Sequence, residues 1–244
     1  MPNFGPPPDH IQDAFRDHLI RHGGATGLAR LGYTEEVNRF KFYLDTLENF
    51  ISQQESDEIV ALEADAAHLT DDARDEFWSW YYPVHWDEIF RTNLRSSFLV
   101  SLVSMIESQL SEVCRDVEVI ARTPIQAGDL KGSLLERTHL FLEKFGAFQQ
   151  PTAEVWAKFS RIYDIRNVFV HHAGFLPAYN HENRTRQFIE GGKMITETNG
   201  TLTIKREFCV DALRVAQELL DAIAGELSAL CSRVQMFEGL PKQV

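Results

Sequence analysis

Arginine, asparagine and histidine stand close together in the stretch RIYDIRNVFVHHAG, residues 161–174. Within it Arg166 and Asn167 are adjacent, and His171 follows a short apolar run. Histidine titrates near neutral pH and can act as a general base or a general acid. Arginine keeps its charge, and its planar guanidinium group matches the oxygens of a phosphate. The three residue types therefore point to chemistry on a phosphate ester.

Cleavage of RNA by its own 2′-hydroxyl group is a reaction that fits these residues. It needs a base for the hydroxyl, an acid for the departing 5′-oxygen and positive charge on the phosphate. His171 would transfer protons, Arg166 would bind the phosphate, and Asn167 would position the phosphate or the imidazole. Neither a metal ion nor a cofactor is required. Contacts with the nucleic-acid backbone are expected from four further residues: Arg161, His172, Arg184 and Arg186.

The segment RNVFVH, residues 166–171, resembles the signature motif of the HEPN superfamily. In that motif an arginine, a polar residue and a few apolar residues precede a histidine near the end of a late helix. The resemblance covers about residues 87–236 and implies a helical bundle with metal-independent endoribonuclease activity. It also implies products with 2′,3′-cyclic phosphate and 5′-hydroxyl ends, and a setting in toxin–antitoxin function, stress response or phage defence. His172 offers a second acceptable spacing.

One position departs from a subgroup of this superfamily. HEPN toxins that are paired with a nucleotidyltransferase antitoxin often carry a tyrosine two residues after the motif histidine. Ala173 follows both histidines here and occupies that place. The departure argues against that pairing and against modification of a tyrosine at this point.

Helix geometry separates the two charged groups of the motif. Arg166 and His171 are about 140° apart around an ideal α-helix, so they do not share a face. Either the helix loosens near Gly174, or two copies of the chain combine their motifs in one site. The resemblance implies the second arrangement, a two-fold homodimer with both motifs lining one cleft. The expected partners are therefore an RNA substrate, a second copy, and an antitoxin or regulatory protein.

Two other interpretations stay open. Arg166 falls near Phe159 and Ile162 on the helical wheel and could extend along a packed face, while His171 could cap carbonyl groups at the helix end. The chain would then be a non-catalytic HEPN module that binds a protein partner or a nucleotide. In the third interpretation the chain is an unrelated helical protein, and the motif is a coincidence.

The charge of the chain limits how it can bind nucleic acid. The 244 residues have a formal net charge of -12 and a pI near 5.2. Such a chain does not coat nucleic acid through bulk attraction, because that binding relies on lysine and arginine displacing counterions. Acidic residues concentrate in 34–88, whereas 161–206 lean basic. A local phosphate site is therefore expected in the second segment.

Cysteine usage and hydropathy predict a cytoplasmic protein without a metal site. The three cysteines are widely spaced and form no C-x-x-C pair, which argues against zinc binding and against a disulfide framework. The first residues lack the basic start and apolar run of a signal peptide. The most apolar window, residues 97–106, is too short to span a bilayer.

Apolar spacing predicts a mainly α chain with three parts. Residues 1–33 are rich in proline and glycine and are predicted to be a flexible N-terminal arm, with one short helix around 9–22. Residues 34–86 are interpreted as a helical extension, with helices that start after Thr34, Ser56 and Thr70. Residues 87–244 are interpreted as the HEPN-like helical core.

Two local signals place the motif within that core. A helix over about 152–172 should carry the motif and end before Gly174. Asn199-Gly200 lies between two β-branched runs and predicts a small hairpin near 193–206, because both residues tolerate positive φ.

The aromatic run FWSWYYPVHW, residues 77–86, has two possible meanings. It could be a platform on which RNA bases stack. Amphipathic rings in such number more often belong to a core or to a protein interface, and we favour that interpretation.

Overall fold

The computed structural model describes residues 9–22, 26–146, 148, 153–190 and 193–238, with the backbone alone for 9–11 and 26–31. The chain is mainly α-helical and has a small antiparallel hairpin, as predicted. The helices are α1 Asp9–Arg21, α2 Thr26–Ala66, α3 Asp71–Tyr81, α4 Thr92–Ala121, α5 Leu134–Phe145, α6 Ala153–His172, α7 Glu182–Glu190 and α8 Arg206–Glu238. The strands are β1 Ile195–Thr198 and β2 Thr201–Ile204.

Two compact units are formed by segments that are distant in sequence. Unit 1 comprises the chain before Asn38, Leu102–Ile165 and the chain after Val210. Unit 2 comprises Asn38–Ser101 and Arg166–Val210, and it includes the whole predicted motif. The three-part division at residues 33 and 86 stays a prediction.

Helix α1 of unit 1 lies in the segment that was predicted as a flexible arm, where a short helix was expected around 9–22. Its Leu19 and Ile20 are buried, so this helix has an apolar face. Arg16 is also buried; it donates to both carboxylate oxygens of Glu238 and to the carbonyl of Ile120 at 3.1 Å. Burial and an ion pair thus hold α1 against the ends of α4 and α8. Neither interaction can be predicted from the glycine-rich sequence on either side of α1. Residues 26–33 of the predicted arm belong to α2, and residues 1–8 and 23–25 lie outside the described residues.

Helix α2 differs from its predicted boundaries. It begins at Thr26 rather than after Thr34, and it continues through Ser56 without a break. The prediction of two separate helices was therefore wrong. Leu44, Glu48 and Ile51 are buried at helical spacing, so they form one packed face of α2. This packing stabilises the helix at positions whose residues have only moderate helix propensity.

The hairpin of unit 2 has the predicted turn. Asn199 and Gly200 have φ values of 52° and 82°, and Ile195 pairs with Ile204 in the register. Positive φ at both central residues matches the right-handed twist of the two strands. Leu202 and both isoleucines are buried, so one face of the hairpin is shielded from solvent.

A buried carboxylate joins three elements of unit 2. Glu48 on α2 accepts hydrogen bonds from Nε and Nη2 of Arg95 on α4, at 2.7 and 3.1 Å. Nη1 of the same arginine donates to the carbonyl of Ile204 on β2 at 3.3 Å. Because a buried charge is costly without a partner, this bidentate pair fixes the relative positions of the three elements.

Candidate functional site

The candidate motif occupies the last turns of α6, as predicted. The helix remains regular through His172 and then ends with Ala173 and Gly174 at φ values of 49° and 84°. The Gly174 N–H donates back to the carbonyl of Val168 at 3.1 Å. A left-handed conformation after the last helical residue is a common helix stop, and glycine adopts it without a Cβ penalty.

The chain that follows the motif is attached to the hairpin. The Leu202 N–H donates to the carbonyl of Gly174 at 2.9 Å, and the Leu176 N–H donates to that of Gly200 at 2.8 Å. Phe175 thus forms an isolated antiparallel bridge with Thr201. These backbone bonds position the C-terminal end of α6, so the location of His171 depends on the fold of β2.

Arg166 and Asn167 are brought together as a pair. Arg166 is 9% exposed, and its Nη1 donates to Oδ1 of Asn167 at 3.0 Å. Asn167 is half-buried. A hydrogen bond to a charged donor is stronger than a neutral one, and here it restricts the orientation of the guanidinium fork.

His171 is exposed and lies on another side of the helix. The helix remains intact between Arg166 and His171, so their angular separation stays about 140°. Loosening of the helix before His171, one of the two routes considered, is not observed. One copy therefore does not bring the arginine and the histidine onto the same face.

The four second-line residues lie in different surroundings. Arg161 is exposed and belongs to unit 1, whereas His172 is half-buried, with its ring centroid 6.0 Å from that of Tyr179. Arg184 is exposed on α7. Arg186 forms ion pairs with Glu182, at 2.7 Å, and with Glu197; these hydrogen bonds raise its pKa. Its charge is thus engaged between α7 and β1.

An open groove of about 450 Å³ runs beside the end of α6 in unit 2. Sequence reasoning missed it, although the spacing of Thr92 to Ser96 and of Asn93 to Ser97 to Ser101 puts these polar side chains on adjacent rows of α4. None of the lining residues is charged. We call this feature the serine groove, lined by Thr92, Asn93, Ser96, Ser97, Val100, Ser101, Phe169, Ala173, Thr201 and Leu202.

The serine groove and the motif share one helix. Phe169 and Ala173 line the groove, and they follow Arg166 by three and seven residues. Arg166 and Phe169, three residues apart, lie on the same face of α6, and Ala173 directly follows the end of that helix. The groove therefore presents uncharged hydroxyl and amide groups beside the row of α6 that starts with the buried arginine.

Several further shifted pKa values belong to residues outside the motif. Burial, together with the nearby Glu112, raises the pKa of Asp116 to about 6. Burial and the same carboxylates raise the pKa of Tyr33 to about 12. Burial likewise raises the pKa of three thiols to about 12, so they are poor nucleophiles at neutral pH: Cys114, Cys209 and Cys231.

The described residues contain no cluster of three or more histidine, cysteine, aspartate or glutamate side chains arranged to hold a metal ion. Among the described helices, none combines the length and the apolar character that crossing a bilayer requires.

Comparisons with family models, with curated proteins and with solved structures found no match to this chain.

Proposed function

We propose that the protein is a metal-independent endoribonuclease of HEPN type, acting in the cytoplasm as a homodimer. The observation that supports this best is the placement of Arg166, Asn167 and His171. The buried arginine is bonded to the asparagine, and the exposed histidine lies at the end of the same helix. The proposed phosphate-binding group, Arg166, and the proposed proton-transfer group, His171, are thus held at fixed positions on one helix.

In the proposed reaction a base removes the proton from the ribose 2′-hydroxyl group. The 2′-oxygen then forms a bond to phosphorus while the bond from phosphorus to the 5′-oxygen breaks. The departing oxygen takes up a proton, which leaves a 2′,3′-cyclic phosphate and a 5′-hydroxyl. His171 transfers protons in this scheme, and the guanidinium group of Arg166 stabilises the charge that develops on the phosphate.

A composite site between two copies follows from the angle between these residues. In such a site, Arg166 of one copy and His171 of the other would face the same phosphate. Support comes from the apolar surface near the histidine, where Val170 and Phe175 are each close to half exposed. A contact between copies would remove this apolar surface from water.

The serine groove would hold the nucleoside next to the scissile phosphate. Its hydroxyl and amide groups can bond to base edges and to ribose hydroxyls, and Phe169 offers a ring for stacking. The lining has no carboxylate, so it does not repel the RNA backbone as the acidic parts of the chain do. The biological setting in toxin–antitoxin function, stress response or phage defence rests on the motif resemblance.

The test is incubation of the purified protein with total RNA in EDTA, followed by analysis of the new ends. We expect cyclic phosphate ends with the wild type, and their loss in Arg166→Ala and His171→Ala. His68→Ala removes an exposed histidine elsewhere and serves as the matched control. Cleavage that is unchanged in both motif variants would contradict the proposal.

A second candidate function is a non-catalytic HEPN module that binds a protein partner. The acidic balance of the chain favours it, together with the exposed aromatic side chains of α3. Absence of cleavage over a broad range of RNAs, combined with specific binding of a protein that depends on the surface around Arg166 and His171, would favour this function over the nuclease.

A further inference from the structure

Helix α3 and the π-helical turn that follows it have many aromatic residues and no buried residue. None of Asp71–Tyr81 is buried, and none of Trp86–Arg91 is buried. Three of the four tryptophans of the protein lie in residues 77–90, and Trp80 is 76% exposed. We call residues 77–90 the aromatic segment. Five more of its apolar side chains are close to half exposed or more: Tyr81, Tyr82, Val84, Ile89 and Phe90.

Contacts among its own rings and with α2 hold the aromatic segment in place, although no side chain of α3 is buried. Phe77 stacks on Tyr81 with ring centroids 4.8 Å apart, and Trp86 stacks on Phe90 at the same distance. The indole nitrogen of Trp86 donates to a carboxylate oxygen of Glu58 on α2 at 2.6 Å. A short helix is marginal without tertiary packing, so a surface of this kind is stabilised further when a partner covers it.

Negative charge surrounds these rings. Residues 71–91 contain six acidic residues and two arginines, Arg74 and Arg91, and Nη1 of Arg91 donates to a carboxylate oxygen of Asp87 at 2.9 Å. Asp75 and Glu76 directly precede the aromatic segment, and Asp87 and Glu88 lie within it; all four are exposed. A bound segment that carries lysine or arginine beside apolar side chains would cover the aromatic rings and would also form ion pairs with the carboxylates. Indole and phenol faces also attract such cations directly.

We infer that the aromatic segment is a docking surface for a basic, amphipathic segment of a partner protein. Tryptophan and tyrosine are the residue types that most often dominate binding energy at protein interfaces. The proposal assigns a partner site to α3, on residues that the nuclease motif does not use.

The charges decide against two other occupants. RNA offers aromatic bases for stacking, but its phosphates would meet the carboxylates of Asp75, Glu76, Asp87 and Glu88. A second copy of the chain would bring the same acidic surface against itself, and like charges across an interface are destabilising. A basic protein segment has no such cost.

The experiment measures binding of a synthetic amphipathic peptide to the full chain by fluorescence anisotropy. The peptide has about 15 residues, long enough for a helix, with leucine on one face and lysine and arginine on the other. A peptide with glutamate at the basic positions is the charge control. We expect binding of the basic peptide only, with an affinity that falls as salt is raised.

Variants then locate the binding. Trp80→Ala should weaken the basic peptide about tenfold or more, as truncation of a central aromatic residue does at interfaces. Asp75→Asn combined with Glu76→Gln should weaken it mainly at low salt. Phe42→Ala removes a ring that is 74% exposed on α2 and should have no effect. The melting temperature should remain unchanged in all of them, because these side chains are not buried.

Three results would overturn the inference. The first is equal binding of the basic peptide to the wild type and Trp80→Ala, or equal binding of both peptides to the wild type. The second is binding of an RNA oligonucleotide that is lost in Trp80→Ala, which would assign the surface to nucleic acid. The third is a wild-type dimer in sedimentation that dissociates in Trp80→Ala, which would make a second copy the occupant.

Discussion

Nη1 of Arg166 donates a hydrogen bond to Oδ1 of Asn167 at 3.0 Å. The amide oxygen is therefore engaged by the guanidinium group. The two adjacent residues of the motif thus act as one unit, in which the asparagine orients the arginine.

Replacing Asn167 by aspartate tests this unit. The carboxylate would pair with Arg166 and would place negative charge where the phosphate approaches. We expect Asn167→Asp to reduce RNA cleavage by roughly 100-fold or more, as loss of a charge-stabilising donor does. The melting temperature should not fall, because the new ion pair replaces the hydrogen bond. Asn38→Asp introduces the same charge at an exposed position and should cleave RNA at the wild-type rate.

Complementation tests the composite site. Arg166→Ala keeps the histidine and His171→Ala keeps the arginine, so a mixed dimer has one intact pair. We expect each variant alone to be inactive, and we expect cleavage to return when the two are co-expressed. Activity that stays absent in mixed dimers verified by mass, while the wild type cleaves, would rule against a site shared between copies.

The serine groove can be blocked without disturbing the core. Ser97 is exposed and lines the groove, so Ser97→Trp should fill it and reduce cleavage at least about tenfold, with the melting temperature retained. Ser104→Trp places the same ring at an exposed position of α4 that does not line the groove. If both variants cleave at the wild-type rate, the groove does not hold the substrate.

Two glycines should respond in opposite directions to alanine. Gly200 has φ 82°, and an added Cβ would lie 2.8 Å from the ring of Phe175. Gly200→Ala should lower the free energy of unfolding by at least about 1–2 kcal/mol. Gly225 lies inside α8, and an added Cβ would meet nothing within 4 Å. Gly225→Ala should raise stability by about 0.5–1 kcal/mol. Denaturant unfolding of both variants checks the pair.

Asp116 predicts a pH dependence of stability. Its pKa is raised from 3.8 to about 6, so the folded state holds a proton that the unfolded chain has lost between these values. The contribution of Asp116 to the free energy of unfolding therefore falls as pH rises from about 4 to about 6. Asp116→Asn should melt higher than the wild type at pH 7, with a smaller difference at pH 4. Asp65→Asn, at an exposed position of α2, should show no such difference.

Much of the local structure was predictable from short windows of sequence. The Asn199-Gly200 turn and the helix stop at Gly174 depend on backbone preferences of these residues, and both were confirmed. The start of α3 after Thr70 was likewise confirmed. These features are local, since a turn or a cap is decided by a few neighbouring residues.

Other features depended on residues that are distant in the chain. Ser56 has the character of a helix start, yet α2 passes through it, with Ile51 buried before it and Ala66 buried after it. The candidate site likewise combines features that the local sequence decides with features that depend on distant residues. The types and spacing of Arg166, Asn167 and His171 are in the sequence, and so is their angle around a helix.

By itself, the sequence determined the helical periods, the turns and the identity of the candidate residues, because each of these is a property of neighbouring positions. Tertiary structure alone decided that Arg166 is buried, that His171 is exposed, that α4, α6 and β2 enclose the serine groove, and that the rings of α3 face solvent. Exposure depends on which distant segments cover a side chain, and no short window contains that information.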